Sequence, residues 1–152
     1  IENHSKTHPD MPDLDDSEIL EEVSYTTEQI MRITGEKPKF FRPPYISYNQ
    51  KMYDLIDLTF ICGYGCEDWE PAVTAQKRVR RILTDAKPGF IILLHDMEDN
   101  IQTVEAIKTI IPALKDQGYE FVTVRDLFQK SGISPEKNMI YMGADEVRKN
   151  YE

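Results

Sequence analysis

Apolar side chains follow two alternating rhythms along the chain. Ile19, Leu20, Val23, Ile30 and Met31 recur at roughly helical spacing, behind the capping side chains of Asp15, Asp16 and Ser17 and ahead of Gly35 and Pro38. That pattern predicts a helix closed at both ends. Lys39–Phe41 reads as a short strand, Asn49 as the cap of a helix carrying Met52, Leu55 and Ile56, and Leu58–Ile61 as a returning strand. Thr74 opens a helix with Val79, Ile82 and Leu83 on one face, and Lys87-Pro88-Gly89 is a turn. Phe90–Leu94 is apolar at every position, the pattern of a strand covered on both faces. A long helix from about Ile101 to Gln117 stops at Gly118; a strand at Glu120–Val124 and a short helix from Asp126 follow.

This alternation predicts an α/β fold with a parallel sheet or barrel wrapped by helices. Only four strands are visible, against about eight in a closed parallel barrel, so an incomplete barrel is expected. Residues 131–152 are mostly polar and read as an extension lying over a body formed by residues 1–130.

A chain of 152 residues fits one domain, and with 40% hydrophobic and 30% charged residues its composition is that of an ordinary globular protein. The net charge of −9 argues against a nucleic-acid partner, whose phosphates such a surface repels. A five-residue apolar run at Phe90–Leu94 is far too short to span a membrane. Cys62 and Cys66 make no disulfide framework and no usual thiolate metal site; reduced, partly buried thiols are favoured over a local disulfide.

The chemistry-bearing residues lie at the ends of these elements. His4 and His8, spaced i, i+4, would lie on one side of a short helical turn, close enough to share a metal ion; a solvated pair near a chain end is the alternative. Pro9 disfavours helix at His8 itself. His95 follows the apolar run, where α/β folds bind ligands beyond the carboxyl ends of strands, although a structural histidine fits there too. Asp96 beside it reads as a helix cap. Phe41-Arg42-Pro43-Pro44-Tyr45 leaves a strand and stiffens into a shelf that presents Arg42 and Tyr45. Asp68 is a fitting partner to orient a nearby histidine, and Trp69, the lone tryptophan, serves either packing or substrate contact.

Asn3-His-Ser-Lys-Thr-His-Pro9, Phe41-Arg-Pro-Pro-Tyr45, Asp68-Trp69 and Leu93-Leu-His-Asp96 occur in this order and with matching gaps. Together they resemble the second to fifth motifs of the polysaccharide deacetylases, the NodB-homology domain of carbohydrate esterase family four. The resemblance covers about residues 1–130, taking in Gly118–Val124, and implies an incomplete distorted (β/α) barrel with a groove for a glycan. It implies that His4 and His8 ligate a divalent metal, usually zinc. His95 would be the general acid, oriented by Asp68. Arg42 would hold a catalytic carboxylate, and the Tyr45 backbone N–H would help bind the oxyanion. Trp69 and Leu93, with Tyr45, would line the acetyl pocket.

The implied activity is removal of acetyl groups from a polysaccharide or oligosaccharide, outside the cell or in its envelope. The substrate would be an N-acetylglucosamine polymer such as peptidoglycan or chitin, or O-acetylated xylan. The stretch from Leu58 to Trp69 resembles clostridial acetylxylan esterases. Two departures stand out. The family's first motif, which supplies the catalytic base and the third metal ligand, has no counterpart before His4. The chain alone is therefore expected to be inactive unless another chain or segment completes the barrel. Ile46 stands where the family often has Gly. A non-catalytic glycan-binding relative is the alternative.

Overall fold

The computed structural model describes residues 1–148. The chain divides into two compact units: residues 1–62 and 133–141 with Val147 and Arg148, and residues 63–132 with 142–146.

In the first unit, helix α1 (Asp16–Thr34) begins with a reciprocal capping box. The Asp15 carboxylate accepts the Glu18 N–H at 2.9 Å and the Glu18 carboxylate accepts the Asp15 N–H at 2.9 Å. Gly35, at φ 77°, closes the far end in the left-handed conformation that costs glycine least. Ile19, Val23 and Ile30 point inward, while Leu20 and Met31 fall off the buried stripe and are exposed. Strand β1 (Phe40–Phe41) pairs in parallel with β2 (Thr59–Ile61), Phe41 opposite Phe60, and those two rings meet edge to face at 5.2 Å. Between them runs α2 (Gln50–Leu55), capped by the Asn49 side chain on the Met52 N–H. Met11, Ile19, Phe41 and Met52 are wholly buried, each such side chain contributing about 1.5–3 kcal/mol.

Residues 133–148 hold an element that hydropathy did not reveal. Strand β3 (Ile140–Gly143) enters the sheet, its buried Ile140 and Tyr141 pairing in parallel with Phe60 and Ile61. The expected extension over the body is thus partly sheet. A four-residue strand is easily overlooked among polar neighbours, and here β2 supplies the ladder bonds and burial that local sequence does not advertise. A turn leads to β4 (Glu146–Val147), and Arg148 donates its N–H to the Ile140 carbonyl at 2.8 Å. Residues 149–152 of the expected extension lie outside the described residues.

In the second unit, α3 (Ala75–Asp85) and α4 (Ile101–Asp116) pack through Ile82, Ala106, Ile110 and Leu114, with Cys66 in the same cluster. Phe90–Leu94 is extended but is not the doubly covered strand its composition predicts: Phe90 bridges Gly143, Ile92 bridges Tyr64, and only Leu93 is fully buried. The remaining side chains border a groove of about 330 Å³, with Tyr119, Phe121 and Val122 on its rim. Glu120–Val124 forms no strand. Thr123 instead caps helix α5 (Val124–Ser131) by accepting the Asp126 N–H, so the chain turns helical before a ladder forms. Among the described residues no helix is long and apolar enough to cross a membrane.

Candidate active site

In the first unit, His4 and His8 do not share a helical turn. They flank a loop in which Ser5 (φ 66°) and His8 (φ 60°) are left-handed; Pro9 disfavours the right-handed helical region at His8, so the pair cannot sit on a helical turn. The rings nevertheless come together, with centroids 4.9 Å apart and edge to face. Helix α1 holds this loop. The Glu22 carboxylate accepts the Lys6 N–H at 2.8 Å, the Thr7 N–H at 2.7 Å and the Thr7 hydroxyl at 2.6 Å. Burial pushes the Glu22 carboxyl up, but the Thr7 and Lys6 donors outweigh it and leave its pKa below the usual carboxylate value. Buried Asn3 donates to the Val23 carbonyl and the Thr27 hydroxyl, and its own carbonyl oxygen accepts the Ser5 N–H.

The aromatic-proline shelf lies beside this loop. The Arg42 carbonyl sits 2.6 Å from His4 Nδ1, so that nitrogen carries the proton and Nε2 is left with the lone pair a metal requires. Pro43 and Pro44 are buried. Tyr45 (φ 56°) and Ile46 (φ 54°) are consecutive left-handed residues, and the exposed Tyr45 ring packs edge to face on His8 at 4.7 Å. A β-branched residue at positive φ is strained, which gives a physical reason for glycine to suit position 46. His4 and His8 therefore fit a metal as two neutral imidazole donors. Among the described residues no third His, Cys, Asp or Glu joins them.

In the second unit, Gly63 makes the site possible. At φ 106° it passes so close to Phe90–Leu94 that a Cβ there would lie 2.7 Å from the Ile91 carbonyl. This approach lets the Tyr64 N–H reach Ile91 and the Leu93 N–H reach Tyr64, aligning the two segments that carry Asp68 and His95. The Asp68 side chain is wholly buried, yet three donors meet its two oxygens. Oδ1 accepts from His95 Nδ1 at 2.8 Å; Oδ2 accepts the His95 backbone N–H at 2.7 Å and the Thr103 hydroxyl at 3.0 Å. The His95 side chain remains 27% exposed, so its far nitrogen reaches solvent, and the half-exposed Trp69 ring stands edge-on to it at 5.4 Å. A buried carboxylate gripping an accessible imidazole is the arrangement of a proton-transfer pair. Buried Leu93 lies two residues before His95.

A family model described as polysaccharide deacetylase matches residues 1–60. The Xyl-CE4 domain of a multidomain xylanase from the hindgut metagenome of Trinervitermes trinervoides superposes with a TM-score of 0.92 at 45% identity, over 95% of this chain and 71% of that one. The chain belongs to the polysaccharide deacetylases. A family 4 acetyl xylan esterase from Clostridium thermocellum, solved with a cobalt ion, also superposes, with a TM-score of 0.90 at 34% identity over 96% of this chain and 73% of that one. A bifunctional xylanase/deacetylase of Pseudobutyrivibrio xylanivorans is 49% identical over 132 residues, 87% of this deacetylase-family chain but only 22% of the relative. These likenesses bear out the expected fold class, the incomplete distorted (β/α) barrel of this family.

Sequence reasoning missed several residues in this family member. Asp96 is exposed and caps nothing; Asn100 takes the cap position of α4 but makes no cap bond. Its amide is spent on the carbonyls of Asp68 and His95, at 3.1 and 3.0 Å. Arg78, 1% exposed, was equally unforeseen, since helical periodicity alone makes an arginine a surface residue. Cys62 and Cys66 are free and buried; burial, then the Asp68 charge, pushes the Cys66 thiol up to about 11.

Proposed function

We propose that this chain supplies most of the working residues of a metal-dependent hydrolase that removes acetyl groups from a polysaccharide, with O-acetylated xylan as the favoured substrate. The Asp68–His95 pair carries the reading: a wholly buried carboxylate with three donors, one of them an imidazole whose other nitrogen is accessible. Relatives at 45–49% identity carry xylanase names, whereas those named as peptidoglycan deacetylases are 31–34% identical, which favours xylan. A non-catalytic relative is disfavoured, because a chain free to drift has no reason to keep a buried aspartate aimed at a solvent-facing histidine.

His4 and His8 hold the metal, proposed to be zinc, through the nitrogens left open once His4 Nδ1 is bonded to Arg42. When bound, the metal polarises the acetyl carbonyl and makes water a better nucleophile at neutral pH. His95, protonated on both nitrogens for this step, gives the Nε2 proton to the departing alcohol or amine and returns to the Nδ1–H imidazole, whose orientation Asp68 holds. Tyr45 contributes its backbone N–H to the developing oxyanion. Arg42 positions the catalytic carboxylate, which residues outside this chain provide, together with the third ligand. Trp69 and Leu93 bound the acetyl group. Work on such polymers places the protein outside the cell or in its envelope.

Acetate release is measured from acetylated xylan and from chito-oligosaccharides with the complete protein that carries this chain, before and after chelation and zinc add-back. Release from xylan that needs the metal and is lost in His95→Gln is the expected result. Zinc-loaded protein that frees no acetate from either polymer would falsify the proposal.

A further inference from the structure

Behind the Asp68–His95 pair sits a second layer anchored on Arg78. Its guanidinium is 1% exposed and donates in four directions: Nε to the Val73 carbonyl at 2.8 Å, Nη2 to the Glu70 carbonyl at 3.1 Å, and Nη1 to Thr103 Oγ1 and Asn100 Oδ1, each at 2.6 Å. Both Nη1 partners are groups that also touch the pair. An arginine donates and never accepts, so each contact fixes the sense of the next hydrogen bond.

Thr103 owns a single hydroxyl proton. Arg78 can only donate to the hydroxyl oxygen and the carboxylate can only accept, so that proton is directed to Asp68 Oδ2 at 3.0 Å. Asn100 can face either way in principle, but its oxygen is drawn to the guanidinium. Its NH₂ is therefore turned toward the Asp68 and His95 carbonyls, tying the two backbones together. Oδ2 of Asp68 is then filled by Thr103 and the His95 N–H, and Oδ1 is left for His95 Nδ1 alone. An acceptor there requires the ring proton to sit on Nδ1, which leaves Nε2 as the nitrogen facing solvent.

We propose that Arg78 is a positioning residue for His95: acting through Thr103 and Asn100, it fixes the Nδ1–H tautomer and the ring orientation. Arg78 touches neither the imidazole nor any reacting group. This inference rests on the proton-donor reading of His95 for its kinetic consequence, but the tautomer itself is observable without any substrate.

The test uses the complete protein labelled with ¹⁵N-histidine, the His95 signals being assigned by their loss in His95→Gln. Arg78→Met, Arg78→Lys and Thr103→Val are compared with the parent, thermal midpoints serving as the check on folding. The parent shows one His95 species protonated on Nδ1. Arg78→Met and Thr103→Val show a mixture with the Nε2-protonated form, kcat falls at least tenfold and KM moves less than threefold; Arg78→Lys is intermediate. If Arg78→Met does not fold, the nearly isosteric Thr103→Val carries the same test. Folded variants with an unchanged His95 pattern overturn the inference, even where kcat falls, since that loss is then general and structural. A shifted tautomer in a protein that frees no acetate sustains the inference and removes only the deacetylase reading.

Discussion

Replacing Glu22 by Ala removes a side chain that touches neither proposed metal ligand but clamps the loop between them. Three donors from Lys6 and Thr7 converge on its carboxylate. Hydrogen bonds to a charged group in a partly wet setting are worth about 0.5–1 kcal/mol each, so the clamp contributes about 2 kcal/mol. It opposes the cost of holding Ser5 and His8 at positive φ, about 1–2 kcal/mol for each residue bearing a Cβ. Without Glu22 the loop relaxes, and a metal must restore its conformation on binding. If most of the clamp energy is charged to binding, the metal Kd rises about 10- to 30-fold. Glu22→Gln keeps one acceptor oxygen and lies between.

Competition titration with zinc on the complete protein measures the affinity, and amide hydrogen exchange at Lys6 and Thr7 measures the loop without metal. Acid provides an independent check. A folded-state pKa held below 4.5 means that the clamp's contribution is fully present above the ordinary carboxylate range and is lost as pH falls through the lowered value. Glu22→Ala should therefore narrow its stability gap from the parent only at low pH. A folded Glu22→Ala protein with the parent's zinc affinity, within twofold, and unchanged exchange at Lys6 and Thr7 would show that the loop needs no clamp.

Gly63→Ala should destabilise the protein by about 3 kcal/mol, combining a positive φ with a Cβ 2.7 Å from a backbone oxygen; a denaturation midpoint matching the parent would contradict the close approach. Asp68→Asn offers the His95 and Thr103 donors only one acceptor oxygen and turns an NH₂ toward Nδ1, so kcat should fall by about 10²–10⁴ with KM little changed. Activity within tenfold of the parent would mean that Asp68 does not set the His95 tautomer. Cys66, with its thiol near 11 instead of 9.0, should react with iodoacetamide at pH 8 at least about 100-fold more slowly than an ordinary thiol until the protein unfolds. Peptide mapping that finds Cys66 alkylated as fast as a free thiol would refute its burial.

The elements were legible wherever a local device announces them. Asp15 with Gly35, Asn49 and Thr74 mark the helix ends where they occur, because a cap is a property of a few consecutive residues. Strands were harder to read. Phe90–Leu94 is apolar throughout yet lies beside a groove, Glu120–Val124 looks like a strand but yields to the Thr123 cap, and Ile140–Gly143 looks like a tail but is sheet. For Phe90–Leu94 and Ile140–Gly143 the outcome depends on partners distant in sequence, whereas at Glu120–Val124 a local cap overrides the strand pattern. The same division runs through the site. His4, His8, Asp68 and His95 were visible as residue types in a recognisable order. The residues that fix their geometry belong to other elements: Glu22 to α1, Arg78 to α3, Thr103 to α4, and Asn100 to the turn that opens α4. A buried Arg and a diverted cap residue carry no periodic signature, since what buries them is a hydrogen-bond circuit and not an apolar stripe. That circuit also explains why Asn100 makes no cap bond. A capped α4 would gain about 1 kcal/mol, but it would take Oδ1 from Arg78 and swing the NH₂ away from the Asp68 and His95 carbonyls, breaking three contacts for one.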